Sequence, residues 1–445
     1  MRLIITIAIL NFYIVSAQEI KNDIFGFATS NTFTYCDISD TSFTNKVVNI
    51  NPQVLRFPGG AVGNFYHFGK SGYGFDYTEI DKYHQGKFPK RARGLDRYRR
   101  KINHNHDYID DFILLAKKTN SKAVLVANPF VEDDEDILMM IQKITKNNID
   151  IIGVELGSEL SNRSYFMSGY TIDDYLVFAE RCSRNIKKSF PNLKTAVIAA
   201  PLGKRKGHRH NIWNSRLAKL DFYDAIIIHS YAKVLKGKAL DGQMVSEVVE
   251  SQDKFRSFQI FKNRAINFLQ SEYPMEVEHY YNIFNKPIWV TEWNLQISKT
   301  TGSTLLQSLF VAQFILELYS NSKLSIIELA TYHNLGGRDI AGSIFRNNQN
   351  QLEIQSTYYP MKMIGEIFKN KIFRVEKEQF NEVFVYKCFD ENKKNILTYT
   401  IDWKSNQLIC KYEYTKVSLV YKSENLFDKA NVLGILDFKT FDFYE

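Results

Sequence analysis

Eight short apolar runs punctuate this chain between residues 24 and 334, and stretches with helical spacing of apolar residues lie between them. In order the runs are "IFGFATS" (24–30), "VLRFPGG" (54–60), "AVLVANPF" (123–130), "IIGVELGSE" (151–159), "TAVIAAPLG" (195–203), "AIIIHSY" (225–231), "PIWVTEWN" (287–294) and "LSIIELATYHN" (324–334). Most are continuous rather than alternating, the mark of parallel strands covered on both faces. Residues 107–120, 135–148, 171–190 and 303–322 carry helical patterns, and Thr171 with Asp174 fits a capping box. Strand then helix, repeated eight times, predicts an α/β protein built as a (β/α)8 TIM barrel. A doubly wound sheet is the competing arrangement. After "YYPMKMIGEIFKN" (358–370) the texture changes to short strands without helical period, which predicts a smaller C-terminal antiparallel β-sandwich domain. The expected organisation is a leader over 1–17, a catalytic barrel over 18–370 and a β domain over 371–445, with 18–23 available as an edge strand.

The leader follows from Arg2, the apolar run behind it and the small residues Val15-Ser16-Ala17 before Gln18. It predicts an exported protein, secreted, periplasmic or at the cell surface, with no membrane span. Four cysteines match neither a metal knuckle nor a dense disulfide framework. Cys388 and Cys410 lie in the β-rich tail, where a disulfide and two buried thiols are both open readings. With 57 Lys+Arg against 49 Asp+Glu the formal charge is +8, or +7 once Arg2 leaves with the leader. A modest positive field favours anionic partners. Export and the lack of a recognition module argue against nucleic acid, leaving an acidic or sulfated saccharide as the better fit.

Barrel enzymes place their chemistry at the C-terminal ends of strands. The polar residues there are Arg56, Asn128, Glu159, His229, Tyr231, Glu292, Asn294 and His333. In "GVELGSEL", alternation puts Glu155, Gly157 and Glu159 on one strand face if the strand stays regular. Glu155 then lies deep enough to anchor Arg56 or another basic group inside the barrel, and Glu159 lies at the tip. Glu159 and Glu292, on two strand tips of one barrel, could face each other as the carboxylate pair of glycosidic bond cleavage. Neither a serine nucleophile elbow nor a metal-ligand cluster is visible, so no cofactor and no metal is expected.

Over roughly 24–370 this ordered set resembles the clan A retaining glycoside hydrolases, among them the heparanase/β-glucuronidase-like, α-L-arabinofuranosidase-like and β-xylosidase-like families. The resemblance implies that Glu159, in "LGSE", is the acid/base and Glu292, in "VTEWN", the nucleophile, with carboxyls about 5–5.5 Å apart. It implies a supporting role for His229 and Tyr231 of "HSY", and it matches "RFPGG" (56–60) to the second strand end. The family's asparagine before the acid/base is Ser158 here, which leaves room beside the 2-position of a bound sugar.

Two basic stretches, "KFPKRARGLDRYRRK" (87–101) and "GKRKGHRH" (203–210), are expected as loops rimming the cleft. Arg205 and Arg209, with Lys206 and His210, would meet substrate from the second stretch; Arg91, Arg93, Arg97, Arg99 and Arg100 would do so from the first. Tyr66, Tyr73, Phe75 and Tyr77 would stack on sugar rings. The function expected is a secreted retaining glycoside hydrolase acting on an acidic or sulfated polysaccharide or oligosaccharide. The alternative is a catalytically silent glycan-binding protein on the same scaffold.

Overall fold

The computed structural model describes residues 18–203, 205, 207–235, 237–238, 244–245, 254–298, 300–338, 342–348, 351–415, 417–422 and 439–442. The leader over 1–17, Lys206 and the end of the β domain fall outside them. Eight parallel strands close into a barrel: β1 (Gly26–Ala28), β2 (Val54–Phe57), β3 (Lys122–Val126), β4 (Ile151–Glu155), β5 (Lys194–Ile198), β6 (Ala225–Ala232), β7 (Ile288–Leu295) and β8 (Ile327–Tyr332). Each apolar run overlaps one strand, and β8 returns to β1 through Thr331–Gly26 and Tyr332–Phe27. Closure excludes the doubly wound alternative. At the N-terminal end Trp289 crosses the interior to Gly153, where an added Cβ would come within 2.5 Å of the indole.

Between β2 and β3 a long insertion carries helix α1 (Phe88–Lys101) before the barrel helix α2 (Tyr108–Thr119). Helices α3 (Glu135–Lys146) and α4 (Ile172–Ser189) cover the next units, and Thr171 and Asp174 form the expected capping box. Stretch 87–101 is therefore helix, not loop. Its buried residues, Phe88, Ala92 and Leu95, recur at i, i+4 and i+7, with Pro89 in the first turn.

The C-terminal region is the smaller, sandwich-like antiparallel β domain. Strands β9 (Arg374–Phe380), β10 (Val383–Phe389), β11 (Asn395–Asp402), β12 (Gln407–Tyr412), β13 (Val417–Lys422) and β14 (Lys439–Asp442) pair in sequence order. Gln18–Glu19 adds the edge strand beside β9. Helix α5 (Leu305–Ser320) is buried along its whole length because the barrel covers one side and this sheet the other. Cys388 and Cys410 are free buried thiols on β10 and β12, with β11 between them. Two strand spacings, about 9.5 Å, exceed the Cα separation a disulfide spans. Among the described residues no helix is long and apolar enough to cross a membrane.

Candidate active site

The site is assembled around an arginine inside the barrel. Arg56 on β2 is fully buried, and its Nε and Nη2 donate to the two oxygens of Glu155 on β4 at 2.6 and 2.8 Å. The third arm, Nη1, donates to Glu292 Oε1 on β7 at 3.0 Å. A guanidinium this deep is tolerable only because its fork is fully matched. Gly59 and Gly60, both at positive φ, carry the chain over this pair; a Cβ on Gly60 would lie 3.4 Å from Glu292.

Glu292 is enclosed, with its side chain 6% exposed. Tyr231 Oη donates to its Oε2 at 2.7 Å, and His229 Nδ1 and His333 Nδ1 lie 3.6 and 3.5 Å from the same oxygen. Burial alone would raise its pKa, but His229, His333, Arg56 and the tyrosine hydroxyl outweigh that and hold the carboxyl well below the usual range. Burial opposes charge on His229, yet Glu292 and Glu159 raise its pKa above the ordinary value. His333 goes the other way: burial depresses it and, against the pull of Glu292, so do Arg91, Arg56 and His229.

Glu159 reaches the site by a route that alternation does not describe. Strand β4 stops at Glu155, and the chain turns through positive φ at Gly157 (83°) and again at Glu159 (52°). Asn64 pins this turn, accepting from Ser158 N–H and donating to Ser158 C=O, both at 2.7 Å. The result points the Glu159 carboxyl at His229 Nδ1, 3.0 Å away, with its side chain 44% exposed at the mouth of the cleft. His229 Nε2 lies 3.2 Å from Thr291 Oγ1, which bonds Glu155 at 3.3 Å, so one network joins both glutamates to the arginine.

Glu159, His229 and Glu292 each offer an atom within 4.8 Å of the others. Three such donors resemble a metal set, but the Arg56 guanidinium against Glu292 would repel a dication. The donors suit an ion-pair network better.

Arg56, Glu159, His229, Tyr231, Glu292 and His333 thus meet at one place. The other residues expected to touch substrate do not line this centre. Ser158 is fully buried, its Oγ 3.4 Å from Arg56. Asn128 is buried against the Tyr66 carbonyl and Glu79. Asn294 is buried, donating to the His333 carbonyl and accepting from Gln307. Arg209 donates to the Ser161 carbonyl and lies over the Phe166 ring, and Arg205 is exposed nearby. The tyrosines of the insertion are packing rather than sugar platforms: Tyr66 and Tyr73 are buried, Tyr73 sits edge-on to Tyr108, Phe75 packs against Tyr73, and Tyr77 bonds Asp96. Asn64 and Thr291 escaped sequence reasoning, because neither ends an apolar run.

Two cavities flank the glutamates. One of about 290 Å³ starts at Glu159 and His229 and is walled by Lys233, Glu272, Glu276 and Tyr280. Burial pushes the Glu276 carboxyl up to about 7, with Lys233 opposing. The other, about 860 Å³, starts at His333 and runs beneath α1.

Neither a protein-family model nor a curated protein sequence matches the chain. Solved structures do. A family 51 α-L-arabinofuranosidase from Bifidobacterium longum aligns over 96% of this chain and 92% of its own, with a TM-score of 0.63 at 10% identity. An α-L-arabinofuranosidase from Thermotoga maritima, solved with arabinose, aligns over 93% and 84% with a TM-score of 0.55 at 16% identity. A 4-O-α-L-rhamnosyl-β-D-glucuronidase from Fusarium oxysporum aligns over 86% and 78% with a TM-score of 0.52 at 11% identity. The shared feature is the fold: a (β/α)8 barrel with its appended β domain.

Proposed function

We propose that the protein is a retaining glycoside hydrolase. The observation that carries this is the pair Glu159 and Glu292, on separate strand ends with oxygens within 4.8 Å of each other. That closeness supports direct attack by a carboxylate, because inverting enzymes keep their pair about 6.5–9.5 Å apart to admit a water. The environments divide the labour. Glu292, enclosed and held ionised, attacks the anomeric carbon while the bond to the leaving oxygen breaks, giving a glycosyl ester. Glu159, open to solvent, gives its proton to that oxygen and then takes one from the water that hydrolyses the ester. Arg56 and Tyr231 aim the Glu292 carboxyl, and His229 aims Glu159. The glycosidase structures that share the fold support the same reading.

The finer reading is an exported enzyme whose saccharide is acidic or sulfated, supported by the positive charge of the chain and the cations of α1. Product NMR on a purified glycan panel tests the reaction class, and retained configuration is expected. Glu292→Gln should abolish turnover with the fold intact. Glu159→Ala should slow natural glycans by about 10²–10⁴-fold and activated aryl glycosides much less. Inverted product, or equal losses on both substrate kinds, would defeat the assignment. Glycan binding without turnover in the unaltered protein would favour the silent-scaffold alternative.

A further inference from the structure

We propose that the larger cavity is an anion-reading subsite on the nucleophile side of the scissile bond, where side chains of α1 and Arg338 hold sulfate or carboxylate groups of the saccharide. This deepens the glycosidase reading and rests on it for the placement of the cleavage point.

The wall is the informative part. Lys87, Lys90, Arg91, Gly94 and Arg97 line the cavity from α1 and its N-cap. Their spacing of three and four residues puts them on one helical stripe. Arg338, from the loop after β8, faces the same space. Arg93 also lines it but is paired with Asp81, while Arg99 and Arg100 are paired with Asp96. Among the described residues, Lys87, Lys90, Arg91, Arg97 and Arg338 form no ion pair and no carboxylate lines the cavity. A solvated helix face ordinarily mixes both signs. Here unpaired cations converge on a walled hollow, which concentrates their field on whatever enters.

Unpartnered polar groups lie beneath them. Asn31, Asn334 and Ser343 line the same cavity at 5%, 3% and 2% exposure, and among the described residues Asn31 Oδ1, Asn334 Oδ1 and Ser343 Oγ have no hydrogen-bond partner. Orphaned buried acceptors call for a ligand that donates, and sugar hydroxyls do. His333 lines the near end, 3.5 Å from the Glu292 carboxyl, so the hollow abuts the reacting centre on that side. The smaller cavity, on the Glu159 side, is of mixed sign, with Glu272 and Glu276 beside Lys233 in its wall. The saccharide is therefore held with its anionic end under α1 and its leaving group toward these acids.

Binding to the Glu292→Gln protein tests this without depending on turnover. The probes are a heparin-derived hexasaccharide, a galacturonate hexamer and xylohexaose, measured by calorimetry at low ionic strength. At least one anionic probe should bind at least tenfold more tightly than xylohexaose, and which one does so separates sulfate from carboxylate. Arg91→Ala, Arg97→Ala and Arg338→Ala should each weaken that binding by about tenfold. Arg91→Glu/Arg97→Glu should abolish it, and Arg205→Ala, outside the cavity, should leave it unchanged. A crystal structure of the complex should show the anionic groups within about 4 Å of Arg91 and Arg97. Equal binding of the neutral probe, equal losses in Arg205→Ala, or anionic groups beside Glu272 and Glu276 would each overturn the proposal. Failure of the glycosidase reading is seen separately, as absent or inverting hydrolysis by the unaltered protein.

Discussion

Glu292 is held by four neighbours, and removing the Tyr231 hydroxyl leaves its ion pair with Arg56 in place. A hydrogen bond to a charged group contributes about 1.5–3 kcal/mol, so Tyr231→Phe should lower kcat/KM by about 10–100-fold. The pH profile gives the sharper reading. Glu292 must be ionised to attack, and its neighbours depress its pKa, so activity should persist into acid. Losing the Tyr231 donor raises that pKa, and the acid limb should move to higher pH. A limb that stays in place would mean the hydroxyl does not act on the carboxylate. Arg56 offers no such clean test, because its removal leaves Glu155 buried without its counter-charge.

At the scale of elements, one histidine adds a charged tie between the barrel and the insertion that separates β2 from β3. His67 Nε2 meets Glu79 at 2.7 Å, and its Nδ1 meets Asp136 on α3 at 3.2 Å, tying the insertion to the barrel. Burial opposes its charge, but Asp136 and Glu79 raise its pKa from 6.5 to about 9. A raised histidine stabilises fully below its unfolded pKa and loses that contribution as pH climbs through the folded one. Thermal stability should therefore fall between roughly pH 6.5 and 9, and His67→Gln should flatten that part of the curve. An identical slope in His67→Gln would assign it to other groups. Because α1 belongs to this insertion, loosening it should also weaken the wall of the larger cavity.

Across the whole molecule, barrel and β domain are joined by polar clamps as well as by α5. Glu317 on α5, 1% exposed, meets Lys377 on β9 and the Tyr386 hydroxyl on β10, each at 2.7 Å. Trp403 Nε1 donates to Gln313 at 2.6 Å, and Lys262 reaches Glu382 at 2.7 Å. Removing one partner of a buried pair costs about 3–5 kcal/mol, whereas replacing both by apolar groups is far milder. Glu317→Leu and Lys377→Met should each destabilise by that order in urea unfolding. The double variant Glu317→Leu/Lys377→Met should recover much of the loss. Additive losses would show that the two charges do not depend on each other.

Much of this architecture is a local property of the chain. Each of the eight apolar runs overlaps one barrel strand, the capping box at Thr171 forms, and Arg56 on β2 meets Glu155 on β4 at the depth their positions imply, with β3 between them. Strand periodicity and capping act over a few residues, so they can be read without the fold. The turn at Gly157 and Glu159 cannot, because Asn64, about 90 residues away in sequence, sets it through two hydrogen bonds. Burial of Ser158, Asn128 and Asn294 likewise depends on which neighbours claim their polar atoms. The basic stretch at 87–101 was legible as charge but misread as loop, since only Phe88, Ala92 and Leu95 mark its buried stripe. Sequence by itself placed basic stretches at 87–101 and 203–210, after the second and fifth apolar runs. Only tertiary structure decided that the cations of α1 converge on a hollow beside Glu292, while Arg205 and Arg209 point elsewhere. Which charges share a cavity depends on the packing of segments far apart in the chain.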